Sequence, residues 1–214
     1  MPLSEKAQAA YDQVADPATK MSTIRRVAKS IRTDHALGLE LWHTGAQTCR
    51  HLAMLLFDKK KIDQAFVDEL EASMGDIPVK KKSHLMDWLL ANQLSKSKGG
   101  KSLVESWEHS PSALQRRTYW YHQSRLRWTG QTPPPNTEAL LDSVEARIEG
   151  EDPIVQMFMN FTAGQIGTYQ PEYRDRCIAI GERTGLYKDE KVPRGCVPSY
   201  LPEFIRVQVA KLDR

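Results

Sequence analysis

Apolar residues return every three or four positions along nearly the whole of this chain, and stretches alternating apolar with polar residues hardly occur. That periodicity confines the fold to helices packed on helices. Ser4 caps a first helix over residues 4–15, whose apolar face is Ala7, Tyr11 and Val14. Pro17 interrupts it, and Met21, Ile24, Val27, Ala28 and Ile31 mark a second helix from about Lys20. Asp34 caps a third, ending in Leu39 to Trp42, and Thr44-Gly45 turns into a helix over 46–57 with Cys49, Ala53, Leu56 and Phe57 on one face. Asp63 caps the next helix and Gly75 ends it.

Further along, Lys80-Lys81-Lys82 forms a basic loop before Ser83, the expected cap of a helix running to Leu94. Residues 96–101, with Gly99-Gly100, read as a flexible connection to a short helix over 102–109. Ser110 and Pro111 then open a helix of about five turns to Trp128. Gly130 to Asn136, with three consecutive prolines, is the longest break. It is short for a linker, so it reads as a loop inside a single domain spanning residues 1–214. Pro153, Pro171 and Pro202 each stand at an expected first helical position, with Gly167 and Gly185 as stops, giving helices over 153–166, 171–184 and 202–212. About ten to twelve helices joined by short turns make an all-α fold, with antiparallel pairs stacked into a curved α-solenoid.

No apolar run approaches the length of a membrane span, and the first residues have neither the basic nor the apolar part of an export signal, so a cytoplasmic protein is expected. Cys49, Cys177 and Cys196 are far apart, which suits ordinary thiols and neither a disulfide framework nor a zinc site. No metal or cofactor is expected: His84, His109 and His122 lack ligand spacing, and no phosphate-loop or Ser-His-Asp pattern occurs. The charge, however, is uneven. Residues 80–128 hold ten Lys or Arg against three acids, a net +7, whereas the remainder, with 20 basic and 24 acidic residues, is −4. Such asymmetry points to a polyanionic partner.

Within that segment, residues 110–128 interleave four arginines with four aromatics. Residues 116, 120, 124 and 127 share one helical face, and 117, 121, 125 and 128 share the next. Guanidinium forks suit phosphate oxygens and flat rings suit bases, so Arg116, Arg125, Arg127 and Trp120 are candidate DNA contacts, together with Lys80, Lys81 and Lys82. The same pattern also describes aromatics in a core with arginines at its solvated edge.

Three stretches carry a resemblance: Leu41 to Gly45 with Cys49 to Asp58, Asp87 to Arg117, and Gln165 to Gly167 through Ala179 to Arg183, ending in Gly195 to Ile205. From about residue 20 onward the chain resembles the AlkD-type DNA alkylation repair proteins, alkylpurine DNA glycosylases built of HEAT-like helical repeats. The resemblance implies a monomer that cradles duplex DNA on a concave basic face and hydrolyses the N-glycosidic bond of cationic alkylated purines such as 3-methyladenine or 7-methylguanine. Asp87 matches the family's catalytic aspartate, and Arg117 its active-site arginine, with Arg116 one register away. The family's two site tryptophans fall on Ser83 and Phe161, which are the corresponding candidate DNA contacts here. Three functions follow: a glycosylase with Asp87 and Arg117 as catalytic groups, a relative without chemistry that binds DNA, or a helical scaffold for another protein.

Overall fold

The computed structural model describes residues 2–128 and 131–212 and, among these, contains twelve α-helices, short 3-10 turns and no strand. The chain divides into two compact units, Met1–Ser106 and Trp107–Arg214. The loop expected over 130–136 begins at Gly130, outside the described residues, and its remainder lies within the second unit.

The first unit contains α1 (Glu5–Val14), α2 (Met21–Ile31), α3 (His35–His43), α4 (Gln47–Leu56), α5 (Gln64–Ala72), α6 (Val79–Asn92) and α7 (Lys98–Glu105). Ser4, Asp34 and Asp63 cap α1, α3 and α5 through side-chain acceptors, each such cap contributing about 1 kcal/mol. Helix α4 is the unit's centre: eight of its ten residues are buried, and α2, α3 and α6 pack on it. Trp42 lies in the core, its indole N–H donating to Ser73 Oγ at 2.6 Å.

Two elements differ from expectation here. Helix α6 starts at Val79, a turn before Ser83, so Lys80 to Lys82 form its first turn rather than a loop. Val-Lys-Lys-Lys propagates a helix readily, whereas Pro78 at the N-cap blocks extension upstream. Gly99 and Gly100 are not a flexible connection but part of α7, which Ser97 caps. A Cβ on Gly100 would stand 2.4 Å from Leu94 O, so glycine is required there for close backbone approach.

The second unit contains α8 (Ala113–Arg125), α9 (Thr137–Arg147), α10 (Pro153–Tyr169), α11 (Arg174–Thr184) and α12 (Leu201–Leu212). Helix α10 is its axis, contacted by α8, α9, α11 and α12. It begins at Pro153 as expected, and Asp152 caps it by accepting from Ile154 N. It does not stop at Gly167, because a Cβ there would lie 2.5 Å from Ile205 Cδ1 and 3.0 Å from Cys177 Cβ. That glycine seats α11 and α12 against the helix instead of ending it. Helix α8 is shorter than expected, for Ser112 caps it, accepting from Gln115 N at 3.2 Å, and Pro111 stays outside. Pro171 likewise opens a 3-10 turn, Pro171–Tyr173, with α11 following from Arg174 and closing on Gly185 at φ +61°.

Candidate functional site

Helix α8 is not the half-exposed Arg-aromatic surface that its sequence suggests. Nine of its 13 residues are buried. Trp120 is wholly buried with its ring edge-on to Tyr119 at 5.4 Å, so it does not present a face to a base. Arg127 is 1% exposed. Its guanidinium donates to Gln123 O and Oε1 at 3.0 Å each and to Asn136 Oδ1 at 2.6 Å, tying the end of α8 to the start of α9. Burial pushes its pKa down to about 10. Trp120 and Arg127 are thus corrected from DNA contacts to interior residues. The reason is that α8 packs along α10, which encloses polar and apolar positions alike.

The remaining arginines separate by register. Arg116 turns to Glu151, with Nε and Nη2 at 3.2 and 3.1 Å from Oε2, and Nη1 reaches Ser110 O at 2.7 Å. Arg147 joins that network through Glu151 Oε1 at 3.9 Å and also reaches Glu108 Oε1 at 3.1 Å. Arg117 is buried beside aromatic rings, its Cζ 4.0 Å from the centroid of Phe158 and 5.2 Å from that of Tyr121. Arg125 is half-buried at 5.7 Å from Tyr121.

Phe158 begins an aromatic row along α10 and α12. Phe161 stands edge-on to it at 6.3 Å and to Phe204 at 5.9 Å. These rings line a cleft of about 320 Å³ in which Phe161 is half-buried, flanked by Asn160, Tyr187 and Ser199. Gly164 makes the cleft possible, since a Cβ at that position would meet the Phe204 ring at 2.8 Å. Phe161 was singled out from sequence, whereas Asn160, Tyr187 and Phe204 were missed. The Phe-x-x-Phe-x-x-Gly spacing of 158, 161 and 164 was the available signal.

In the first unit, Ser83 and Asp87 are one turn apart on α6 and half-buried. Lys80 and Lys81 are exposed at the head of this helix and Lys82 is half-buried. Lys96, Lys98 and Lys101 follow, also exposed. None of these lysines pairs with a carboxylate among the described residues. Trp88, beside Asp87 in sequence, faces elsewhere. Its indole N–H donates to His51 O at 3.1 Å, and the Arg25 guanidinium lies over its ring at 4.7 Å. His51 is buried with neither ring nitrogen hydrogen-bonded among the described residues, and burial pulls its pKa down to about 4.

Among the described residues no group of three or more His, Cys, Asp or Glu side chains is placed to hold a metal ion, and no helix is long and apolar enough to cross a membrane. The sequence profile of the DNA alkylation repair enzyme family matches residues 11–180. One solved structure, described as a new family of proteins related to the HEAT-like repeat DNA glycosylases with affinity for branched DNA structures, is similar over 99% of this chain and 89% of its own. The TM-score is 0.65 at 18% identity, and the shared architecture is the HEAT-like helical repeat. No curated protein matches the chain.

Proposed function

The chain belongs to the DNA alkylation repair enzyme family, and from that premise we propose that it binds DNA through backbone phosphates, duplex and branched forms included. The observation that carries this reading is the set of exposed lysines Lys80, Lys81, Lys96, Lys98 and Lys101, unpaired with carboxylates on consecutive elements of the first unit. Lysine ammonium groups on flexible stems neutralise phosphates without reading bases, so the binding has little sequence preference. The similar fold with affinity for branched DNA supports extending the reading to branched substrates. A protein scaffold is disfavoured, because unpaired positive charge suits a polyanion better than a protein surface of mixed charge.

The test is anisotropy of labelled duplex and four-way branched DNA across a salt series. Neutralising four to six phosphates gives a slope of log K against log salt of about −4 to −5. The double variant Lys80→Ala/Lys81→Ala lowers the magnitude of that slope by about 2. Affinity indifferent to salt removes the proposal.

A second reading adds chemistry, and Asp87 favours it. A carboxylate on the same stripe of α6 as Ser83 and Lys80 is suited to stabilise the positive charge that develops on a deoxyribose as a cationic alkylated purine departs. An alkylpurine is already a good leaving group, so one well-placed carboxylate supplies much of what hydrolysis needs. Release of free 7-methylguanine or 3-methyladenine from alkylated duplex by the purified protein is the measurement. Binding without release leaves the chain a DNA-binding member of the family.

A further inference from the structure

We propose that Arg25, seated on Trp88, is a preformed clamp for one phosphate of a DNA backbone, an inference that rests on the DNA-binding reading above. Helix α2 supplies the charge. Residues 20–32 hold Lys20, Arg25, Arg26, Lys29 and Arg32 and no acid, a run hidden within the net −4 of the chain outside 80–128. All five are exposed, and none pairs with a carboxylate among the described residues. Arg25, Lys29 and Arg32 share one face of α2, while Ile24 and Val27 are buried and the helix packs on α4. Such a charged face suits a polyanion.

Geometry singles out Arg25 from the other four. Among the described residues it is the one of the five that lies over an aromatic ring, its Cζ 4.7 Å from the centroid of Trp88, reaching from α2 to α6. Trp88 is itself held in place: it is half-buried, its indole N–H donates to His51 O at 3.1 Å, and its ring is edge-on to His51 at 5.3 Å. A guanidinium stacked on an aromatic face keeps its edge N–H donors available, in a planar fork that matches two phosphate oxygens. The stack also restricts the side chain before a ligand arrives, so less freedom is lost on binding. The neighbours continue the track. Lys80, His84 and Trp88 follow one another at four-residue steps on α6, about 6 Å apart along its axis. Lys80 and His84 are exposed, and His84 meets the same His51 ring at 5.3 Å. A backbone anchored at Arg25 thus runs toward an imidazole N–H and then an ammonium group.

Anisotropy of a labelled duplex at fixed salt separates this clamp from general charge, because Arg25→Ala and Arg26→Ala each remove one positive charge from α2. We expect Arg25→Ala to weaken binding about tenfold to thirtyfold, and Arg26→Ala about threefold or less. Arg25→Lys keeps the charge without the fork and recovers less than half of the loss on a logarithmic scale. Trp88→Leu keeps Arg25 but removes its platform, and it weakens binding about as far as Arg25→Lys does. Because the two residues act as one unit, Arg25→Ala/Trp88→Leu binds no more weakly than Arg25→Ala alone. Thermal melts check the fold of each variant; should Trp88→Leu fail to fold, the two Arg25 variants measured against Arg26→Ala still decide. Equal losses for Arg25→Ala and Arg26→Ala, or full recovery in Arg25→Lys, overturn the clamp and leave the DNA-binding reading standing. Absence of duplex binding by the wild type overturns both.

Discussion

The Arg117 guanidinium carbon stands over the ring of Phe158, 4.0 Å from its centroid, and this pairing converts a surface charge in the sequence into a buried packing element. A planar cation over an aromatic face is stabilised by the ring quadrupole, by about 0.5–2 kcal/mol according to how far the pair is desolvated. Arg117 therefore has a structural part to play whatever else it contacts.

Replacing Arg117 by alanine removes that pairing and the packed length of its side chain. We expect a loss of about 1–2 kcal/mol, read as a melting temperature lower by about 3–8 °C. Arg117→Lys restores less than half of it, since an ammonium lacks the planar face. Arg125→Ala, at a half-buried site 5.7 Å from Tyr121, costs under about 1 kcal/mol. Equal melting temperatures for the two alanine variants would show that the Arg117 pairing contributes nothing particular.

Asp87 decides between an enzyme and a binding protein. Asp87→Asn keeps the shape and removes the charge, so folding should be preserved and DNA affinity should hold or rise slightly as repulsion from phosphate disappears. If the wild type releases alkylated base, the variant should do so at least about a hundredfold more slowly, corresponding to an electrostatic stabiliser worth about 3 kcal/mol. Equal rates for the two proteins would remove Asp87 from the chemistry.

His51 makes stability depend on pH. Its folded pKa is lowered from 6.5 to about 4 by burial and by neighbouring His84, so the native state holds it neutral. Between those values the unfolded chain binds a proton that the folded chain refuses. Stability is therefore full above about pH 6.5, falls as the pH drops toward 4, and levels below that. His51 contributes up to about 3 kcal/mol of this loss. His35, lowered chiefly by burial, adds a change of the same sign. Asp34, held below its ordinary value chiefly by the hydrogen bond from Lys6, extends the decline at more acid pH. Urea unfolding of wild type and His51→Leu at pH 7 and pH 5 checks this, because the variant should lose less stability between the two.

Gly99 and Gly100 are neighbours in α7 with opposite requirements. Nothing lies within 4 Å of a Cβ at Gly99, so Gly99→Ala should stabilise by about 0.5–1 kcal/mol through helix propensity. A Cβ at Gly100 would press on the backbone of Leu94, which has no flexible end to yield, so Gly100→Ala should destabilise by about 1–3 kcal/mol. Denaturant midpoints of the two variants should move in opposite directions. A shift of the same sign in both would refute the close approach to Leu94.

Much of the fold was legible in the chain because helices are local objects. Ser4, Asp34 and Asp63 cap where their sequence contexts say they should, since a capping bond spans only two or three residues. The errors share one cause. Gly100 and Gly167 carry the same local signature as a linker or stop glycine, but each is explained by a segment that the local window does not contain: Leu94 before α7, Ile205 on α12.

The candidate site divides along the same line. Sequence alone determined an all-helical chain, its charge asymmetry, its main caps and a resemblance to DNA alkylation repair proteins, because periodicity, composition and spacing are properties of the chain itself. It could not determine which charged residues remain available to a ligand. Only the tertiary structure drew Trp120 and Arg127 into the interior, paired Arg116 with Glu151, and set Phe158, Phe161 and Phe204 around a cleft, while leaving Lys80 and Lys81 in solvent. The physical reason is that a side chain's exposure depends on what packs over it, and the elements that pack over α8 come from 30 or more residues further along the chain, as in the bonds from Arg116 to Glu151 and from Thr162 to Trp120 O.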